Sequence, residues 1–157
     1  PTGVQVVAVE TAMQMQDAVT SALPADAAIF AAAVADWRMD KAHGSKLKKS
    51  RDGLPVLDFA ENPDILAGVA QMKAGRPRLV VGFAAETDDV ARHATEKRAR
   101  KGCDWIVAND VSRSDIGFGS DQNEATLYAA EGSTHPLPRM AKIDMAAQIL
   151  KHVLGGK

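Results

Sequence analysis

The side chains able to do chemistry in this chain are lysines, carboxylates and amides that follow short apolar runs. Lys46-Leu47-Lys48-Lys49 is the densest basic run. It reads either as a solvated loop or as a flexible arm closing over a polyphosphate, where a lysine acts as a point-charge anion binder. Lys97 and Lys101 stand four apart, on one face of a helix. They either complement the carboxyl end of its dipole or reach toward a triphosphate. Asp36 is a turn residue or a ligand contact. Asn109-Asp110 either caps a strand or lines a site, and Phe83 is either core or a stacking surface.

Other residues exclude chemistry. The single cysteine, Cys103, has no histidine or cation beside it and reads as a small buried hydrophobe. With one cysteine there is no internal disulfide and no cysteine-based zinc site. His43, His93, His135 and His152 lack ligand spacing, so no histidine-based metal site is expected. Neither a GxGxxG turn nor a P-loop is present, which weighs against a nicotinamide dehydrogenase or an ordinary kinase.

The elements that must position these groups follow from apolar periodicity. Residues 4–9, Val-Gln-Val-Val-Ala-Val, read as a buried strand. Thr11 and Gln14 have capping-box spacing, which predicts a helix from there to about Leu23. Residues 28–35 read as a second strand, although their alanines also suit a helix. Residues 54–59 are expected to return from a polar hairpin arm that contains an Asp52-Gly53 turn. Asn62-Pro63 predicts a helix start, with Asn as N-cap and a phosphate-ready amide end. Residues 79–83 read as a strand, and Thr87-Asp88-Asp89 as the cap of a helix ending at Gly102. Residues 105–108 form a further strand. A Gly-rich loop over 117–123, two more strands at 125–129 and 134–137, and an amphipathic helix over 140–154 complete the chain. Trp37 is expected to pack.

Alternating strands and helices with short connections predict an α/β fold. The expectation is a Rossmann-like three-layer arrangement with a mostly parallel sheet, a two-stranded antiparallel appendage and a flexible basic flap. One domain over 1–157 is expected, with the flap over 40–58. At the carboxyl ends of the strands lie Asp36, residues 83–87, residues 109–112 and the Gly-rich loop, where open α/β sheets bind small ligands.

Composition narrows the class. With 157 residues the chain can bury a core, and 46% hydrophobic residues argue against disorder. A formal net charge of -1 supplies no global field for nucleic acid or anionic membrane, so neither is expected as a partner. The longest apolar run, 27–35, is too short to span a bilayer. No basic-then-apolar leader is seen, and the default expectation is a cytoplasmic protein. The first residue is Pro, so the chain is expected to be cut from something longer.

Six segments in order carry a family resemblance. They are Ala31-Ala32-Ala33-Val34-Ala35-Asp36-Trp37, Lys46-Leu47-Lys48-Lys49, Asn62-Pro63-Asp64-Ile65-Leu66, Gly82-Phe83-Ala84-Ala85-Glu86-Thr87, Ala108-Asn109-Asp110-Val111 and Gly117-Phe118-Gly119-Ser120-Asp121-x-Asn123. Together they resemble the bacterial phosphopantothenoylcysteine synthetases, usually the C-terminal domain of a bifunctional coenzyme A biosynthesis flavoprotein. The resemblance implies a CTP-dependent ligase joining 4′-phosphopantothenate to cysteine through an acyl-cytidylate, with Mg2+ accompanying the triphosphate. It implies CTP contacts from Phe30, Ala31, Ala32, Asp36, Lys46, Pro63, Asp64, Ile65, Leu66, Phe83, Lys97 and Lys101. Lys46 and Asn109 would be catalytic, and no protein metal ligand is implied.

The resemblance further implies a homodimer with a fused or separate decarboxylase domain, whose FMN would not belong to this chain. The Gly-Gly-Thr turn and Ser-Ser-Gly segment that the family carries upstream are not found here. An N-terminally truncated synthetase domain, active when intact, is therefore expected. Two other readings are a truncated NAD(P)-binding Rossmann-like oxidoreductase and a non-catalytic nucleotide-binding or dimerisation fragment.

Overall fold

The computed structural model describes residues 2–40, 57–112 and 120–155. In chain order the elements are α1 (Ala12–Ser21), β1 (Ala27–Phe30), β2 (Trp37–Met39), β3 (Phe59–Glu61), α2 (Ile65–Ala70) and β4 (Leu79–Glu86). They continue with α3 (Val90–Lys101), β5 (Trp105–Asp110), β6 (Gln122–Ala129), β7 (Thr134–Ala141) and α4 (Lys142–Gly155). The chain divides into two compact units, one of residues 1–22 and 33–64, the other of residues 23–32 and 65–157.

In the first unit α1 begins on the predicted capping box. The Thr11 hydroxyl accepts from the Gln14 amide at 3.2 Å, and the Gln14 side chain accepts from the Thr11 amide at 3.1 Å. β2 and β3 pair antiparallel, with Trp37 opposite Glu61 and Met39 opposite Phe59. The Arg38 guanidinium donates to the Glu61 carbonyl across this ribbon. The returning strand expected over 54–59 differs from β3, which begins only at Phe59 and runs to Glu61. Residues 41–56, which include Lys46 and most of the 40–58 flap, lie outside the described residues.

Two expectations fail in this unit. Residues 4–9 form no strand, and Val6 is 74% exposed. A strand needs a hydrogen-bonding edge, and none of the described residues supplies one. Trp37 is 58% exposed rather than packed.

The second unit is built on a five-stranded sheet in the order β1-β4-β5-β6-β7. β1, β4 and β5 are parallel; β6 and β7 add antiparallel, as the predicted appendage, and continue the same sheet. Strand alternation splits the side chains between two faces. Val81, Val107 and Leu127 share one core cluster with Met145, Ile149 and Val153 of α4. The opposite face carries Val80, Gly82 and Ile106 and is covered by α2 and α3. The predicted helix–sheet–helix layering is therefore present in this unit. Val80, Val81, Ile106 and Leu127 are almost fully buried. Each such side chain contributes about 1.5–3 kcal/mol of hydrophobic stabilisation.

Gly82 is required by this packing. A Cβ there would stand 2.7 Å from Leu66 Cδ2 and 2.9 Å from Ile106 Cδ1. Asp104 fastens the start of β5 to the approach to β4. Its carboxylate accepts from the Val80 amide at 2.7 Å and from Arg76 at 3.0 Å. The same guanidinium donates to the carbonyls of Ala70 and Pro77. Gly102 closes α3 in the left-handed conformation, at φ 76°, with its amide donating to the Arg98 carbonyl. Cys103 is buried as expected, and burial pushes its thiol pKa up.

Other boundaries shift. β1 stops at Phe30 instead of running to residue 35. α2 begins at Ile65, so neither Asn62 nor Pro63 starts it. Asn62 is drawn away, its amide side chain donating to the Ala35 carbonyl at 2.8 Å. Asp89 stands at the N-cap of α3 with φ 39° and makes no capping bond. Its carboxylate instead accepts from Arg92 at 2.5 Å, which holds its pKa below the usual range. β6 and β7 each extend beyond their predicted spans, and α4 begins at Lys142 rather than residue 140.

Candidate functional site

The parallel register sets the geometry. Phe30 pairs with Gly82, Ala84 with Ala108 and Glu86 with Asp110, so three carboxyl ends share one edge. β1 ends opposite Gly82, while β4 runs on to Glu86. Ala31 and Ala32 leave the sheet at that step and are exposed. A step at the carboxyl edge of parallel strands is where α/β sheets form ligand crevices.

Alternation decides which predicted residues meet there. Phe83 and Asn109 lie on the α4 side of the sheet, both half-buried, and Phe83 packs against the α4 core. Phe30 falls on the other side with Gly82, the glycine that Leu66 approaches. Asp110 serves as the strand cap that the sequence allowed. Its carboxylate accepts from the Ser112 amide at 2.9 Å and the Ser112 hydroxyl at 2.6 Å.

In the other unit, the Asn62 amide donates to the Asp36 carbonyl at 2.8 Å while its side chain holds Ala35. This ties exposed Asp36 to the stretch that contains Pro63 and Asp64. Ile65 is buried in α2, and Leu66 is half-buried. α2 has only 6 residues, fewer than two turns and too few for the amide-rich anion end expected of it.

Lys97 and Lys101 are not brought to the carboxyl edge. α3 starts beside that edge after β4 and returns to the start of β5. At about 1.5 Å per residue, Lys97 lies about 10 Å and Lys101 about 16 Å along the axis from Val90. The Lys101 end of α3 lies beside the end of α2, where Gln71 donates to the carbonyls of Arg100 and Lys101.

One group at the edge escaped sequence reasoning. His93, in the first turn of α3, has Nδ1 3.8 Å from Glu86 and 3.9 Å from Asp88. Arg92 lies 2.8 Å from His93 Nε2. The readable signal was an acid at a strand end followed by a histidine one turn into the next helix. A cavity of about 270 Å³ opens nearby, bounded by Val90, Ala108, Asp110, Thr126 and Tyr128 among others. Among the described residues no group of three His, Cys, Asp or Glu side chains is placed to hold a metal ion. No described helix is long and apolar enough to cross a membrane.

Known proteins are similar to this chain in sequence and fold. The family model for the DNA/pantothenate metabolism flavoprotein C-terminal domain matches residues 1–155. The coenzyme A biosynthesis bifunctional protein CoaBC of Mycobacterium tuberculosis is 40% identical, over 98% of this chain and 39% of that protein. The CoaBC of Vibrio cholerae is 41% identical, over 96% of this chain and 38% of that protein. The chain thus spans about two fifths of the length of these relatives. A crystal structure of the C-terminal domain of CoaBC superposes with a TM-score of 0.77 at 34% identity, covering 98% of this chain and 66% of that one. The DNA/pantothenate metabolism flavoprotein from Streptococcus pneumoniae shares the fold, with a TM-score of 0.59 at 19% identity over 91% of this chain and 65% of that one. With the family model covering all but the last two residues, the chain belongs to the DNA/pantothenate metabolism flavoprotein C-terminal domain family.

Proposed function

We propose that this chain is the ligase portion of a coenzyme A biosynthesis enzyme, joining 4′-phosphopantothenate to cysteine at the expense of CTP. The observation that carries this reading is the roughly 40% identity to CoaBC proteins across nearly the whole chain. The stepped carboxyl edge of the parallel strands supports a small-molecule site in the second unit.

In this reading the carboxylate of phosphopantothenate attacks the α-phosphate of CTP. The P–O bond to the leaving group breaks and pyrophosphate departs, giving an acyl-cytidylate. The cysteine amine, after losing a proton, attacks the acyl carbon; the C–O bond to phosphate breaks and CMP leaves with the amide formed. The protein's task is to orient two polyanions and offset the charge that builds on phosphorus. Lys46 would supply the offsetting positive charge. Asn109 positions the acyl-cytidylate from the end of β5.

The nucleotide contacts would come from Phe30 to Ala32, Asp36, Lys46, Pro63 to Leu66, Phe83, Lys97 and Lys101. Phe83 contributes through its exposed part, because the rest of its ring serves the α4 core. Lys97 and Lys101 would meet only a phosphate chain that extends down the α2–α3 side. Magnesium would enter with the triphosphate as part of the substrate. A decarboxylase domain, with its FMN, is the expected covalent or separate partner, and the cytoplasm the expected compartment.

The test is to supply phosphopantothenate, CTP and cysteine to the parent protein and follow pyrophosphate and the amide separately. Pyrophosphate release that needs phosphopantothenate and CTP, followed by amide on adding cysteine, is expected. Equal turnover with ATP would remove the cytidine assignment, and tight NADPH binding without pyrophosphate release would favour an oxidoreductase.

A further inference from the structure

Glu86 is the last residue of β4 and stands four residues past the end of β1, at the step in the carboxyl edge. Alternation puts it on the α3 side of the sheet with Ala84, and of these two only Glu86 can exchange a proton. Its side chain is 23% exposed, so a ligand can reach a carboxylate that the fold still holds. His93 Nδ1 stands 3.8 Å from this carboxylate and 3.9 Å from that of Asp88. Both separations are longer than a hydrogen bond, so a further polar group can bridge them.

The neighbouring carboxylates are engaged or open to solvent. Asp89 is bonded to Arg92, which holds its pKa below the usual range. Asp110 accepts twice from Ser112, and Asp88 is 81% exposed. Asp110 also pairs in register with Glu86 and borders the cavity of about 270 Å³. The other polar residues of that lining are Glu124, Thr126 and Tyr128, with no described basic residue. A half-buried carboxylate beside a small acidic cavity suits the ammonium of an amino acid, a compact cation with three N–H donors.

The ligase reaction leaves one proton unassigned. Cysteine arrives as an ammonium, and its nitrogen has no lone pair for the acyl carbon until a proton leaves. We propose, resting on the ligase reading above, that Glu86 takes that proton, with His93 as the positioning residue that borders its carboxylate. The N–H bond breaks toward a Glu86 oxygen, and the freed lone pair forms the C–N bond. The C–O bond to phosphate breaks and its electron pair leaves with CMP. The second proton passes from the new amide nitrogen to the departing phosphate, and Glu86 returns its own to water.

The parent protein, supplied with phosphopantothenate and CTP, tests this with two nucleophiles. Cysteine must lose a proton before it attacks, whereas hydroxylamine is already an unprotonated amine at neutral pH. Glu86→Gln should slow the cysteine amide about a hundredfold relative to pyrophosphate release, while hydroxamate formation stays within about threefold of the wild type. His93→Gln should show a smaller loss with the same selectivity for cysteine, and Glu86→Asp should recover part of the rate. Equal slowing with both nucleophiles, or no slowing with either, overturns the assignment of Glu86, while pyrophosphate release by the wild type still upholds the ligase reading. A wild type that releases no pyrophosphate overturns both.

Discussion

Residues 4–9 and residues 79–83 are both short apolar runs, and each reads as a buried strand. In the structure Val80 and Val81 are sealed from solvent, while Val6 is 74% exposed. The difference lies in what surrounds them. β4 has hydrogen-bonding strands on both edges and helices over both faces. Residues 4–9 have no strand partner among the described residues. An apolar run supplies the tendency to extend, and its neighbours supply the burial.

The sharpest break of this comparison is Leu127→Ala in the second-unit core. It should cost about 2–5 kcal/mol, because a fully buried side chain leaves a cavity. Urea unfolding reads this as a lower midpoint with an unchanged slope. Lys46→Gln in the parent protein inverts the pattern. It should cost about 3 kcal/mol of barrier, a hundredfold in single-turnover rate, with stability altered by about 0.5 kcal/mol or less. A normal rate for both half-reactions would return Lys46 to the status of a solvated lysine.

Gly82→Ala ranks next, at about 1–3 kcal/mol, since the added methyl meets the side chains of Leu66 and Ile106. Asp36→Ala should lower stability by only about 1 kcal/mol, because the structure uses its carbonyl as the acceptor for Asn62. Its effect belongs in CTP affinity, read by calorimetry on the parent protein, and an unchanged affinity removes it from the site. Val6→Ala closes the series. An exposed valine should change stability by less than about 0.5 kcal/mol, and a larger loss would mean that residues 4–9 are buried in solution.

Features legible in the sequence were those set by a few neighbouring residues. The Thr11–Gln14 box, the left-handed Gly102 and the β-branched runs of β4 and β5 act over three to eight positions, and all stand where they were read. Asn62 misled because a tertiary bond to Ala35 outcompeted its local use as a cap. Asp89 does stand at the N-cap of α3, but Arg92, three residues on, takes its carboxylate in place of a backbone amide.

The site was legible as segments rather than as an arrangement. Sequence spacing placed Lys97 and Lys101 on one helical face but carried no information on which end of the sheet α3 would bring them to. The approach of His93 to Glu86 went unread because it depends on how a strand hands over to a helix.

The notch at Gly82 also constrains how this protein can change over time. Leu66 fills the space that a side chain at position 82 would need, and Ile106 closes it from β5. These three positions can drift only together. A larger residue at 82 is admissible where 66 or 106 has already shrunk, and the separate costs of the two changes should then fail to add. Leu66 also belongs to the stretch proposed to touch the nucleotide. Selection on ligand preference at that position would therefore be felt as a change in core volume, and a repair in the core would be felt in the ligand.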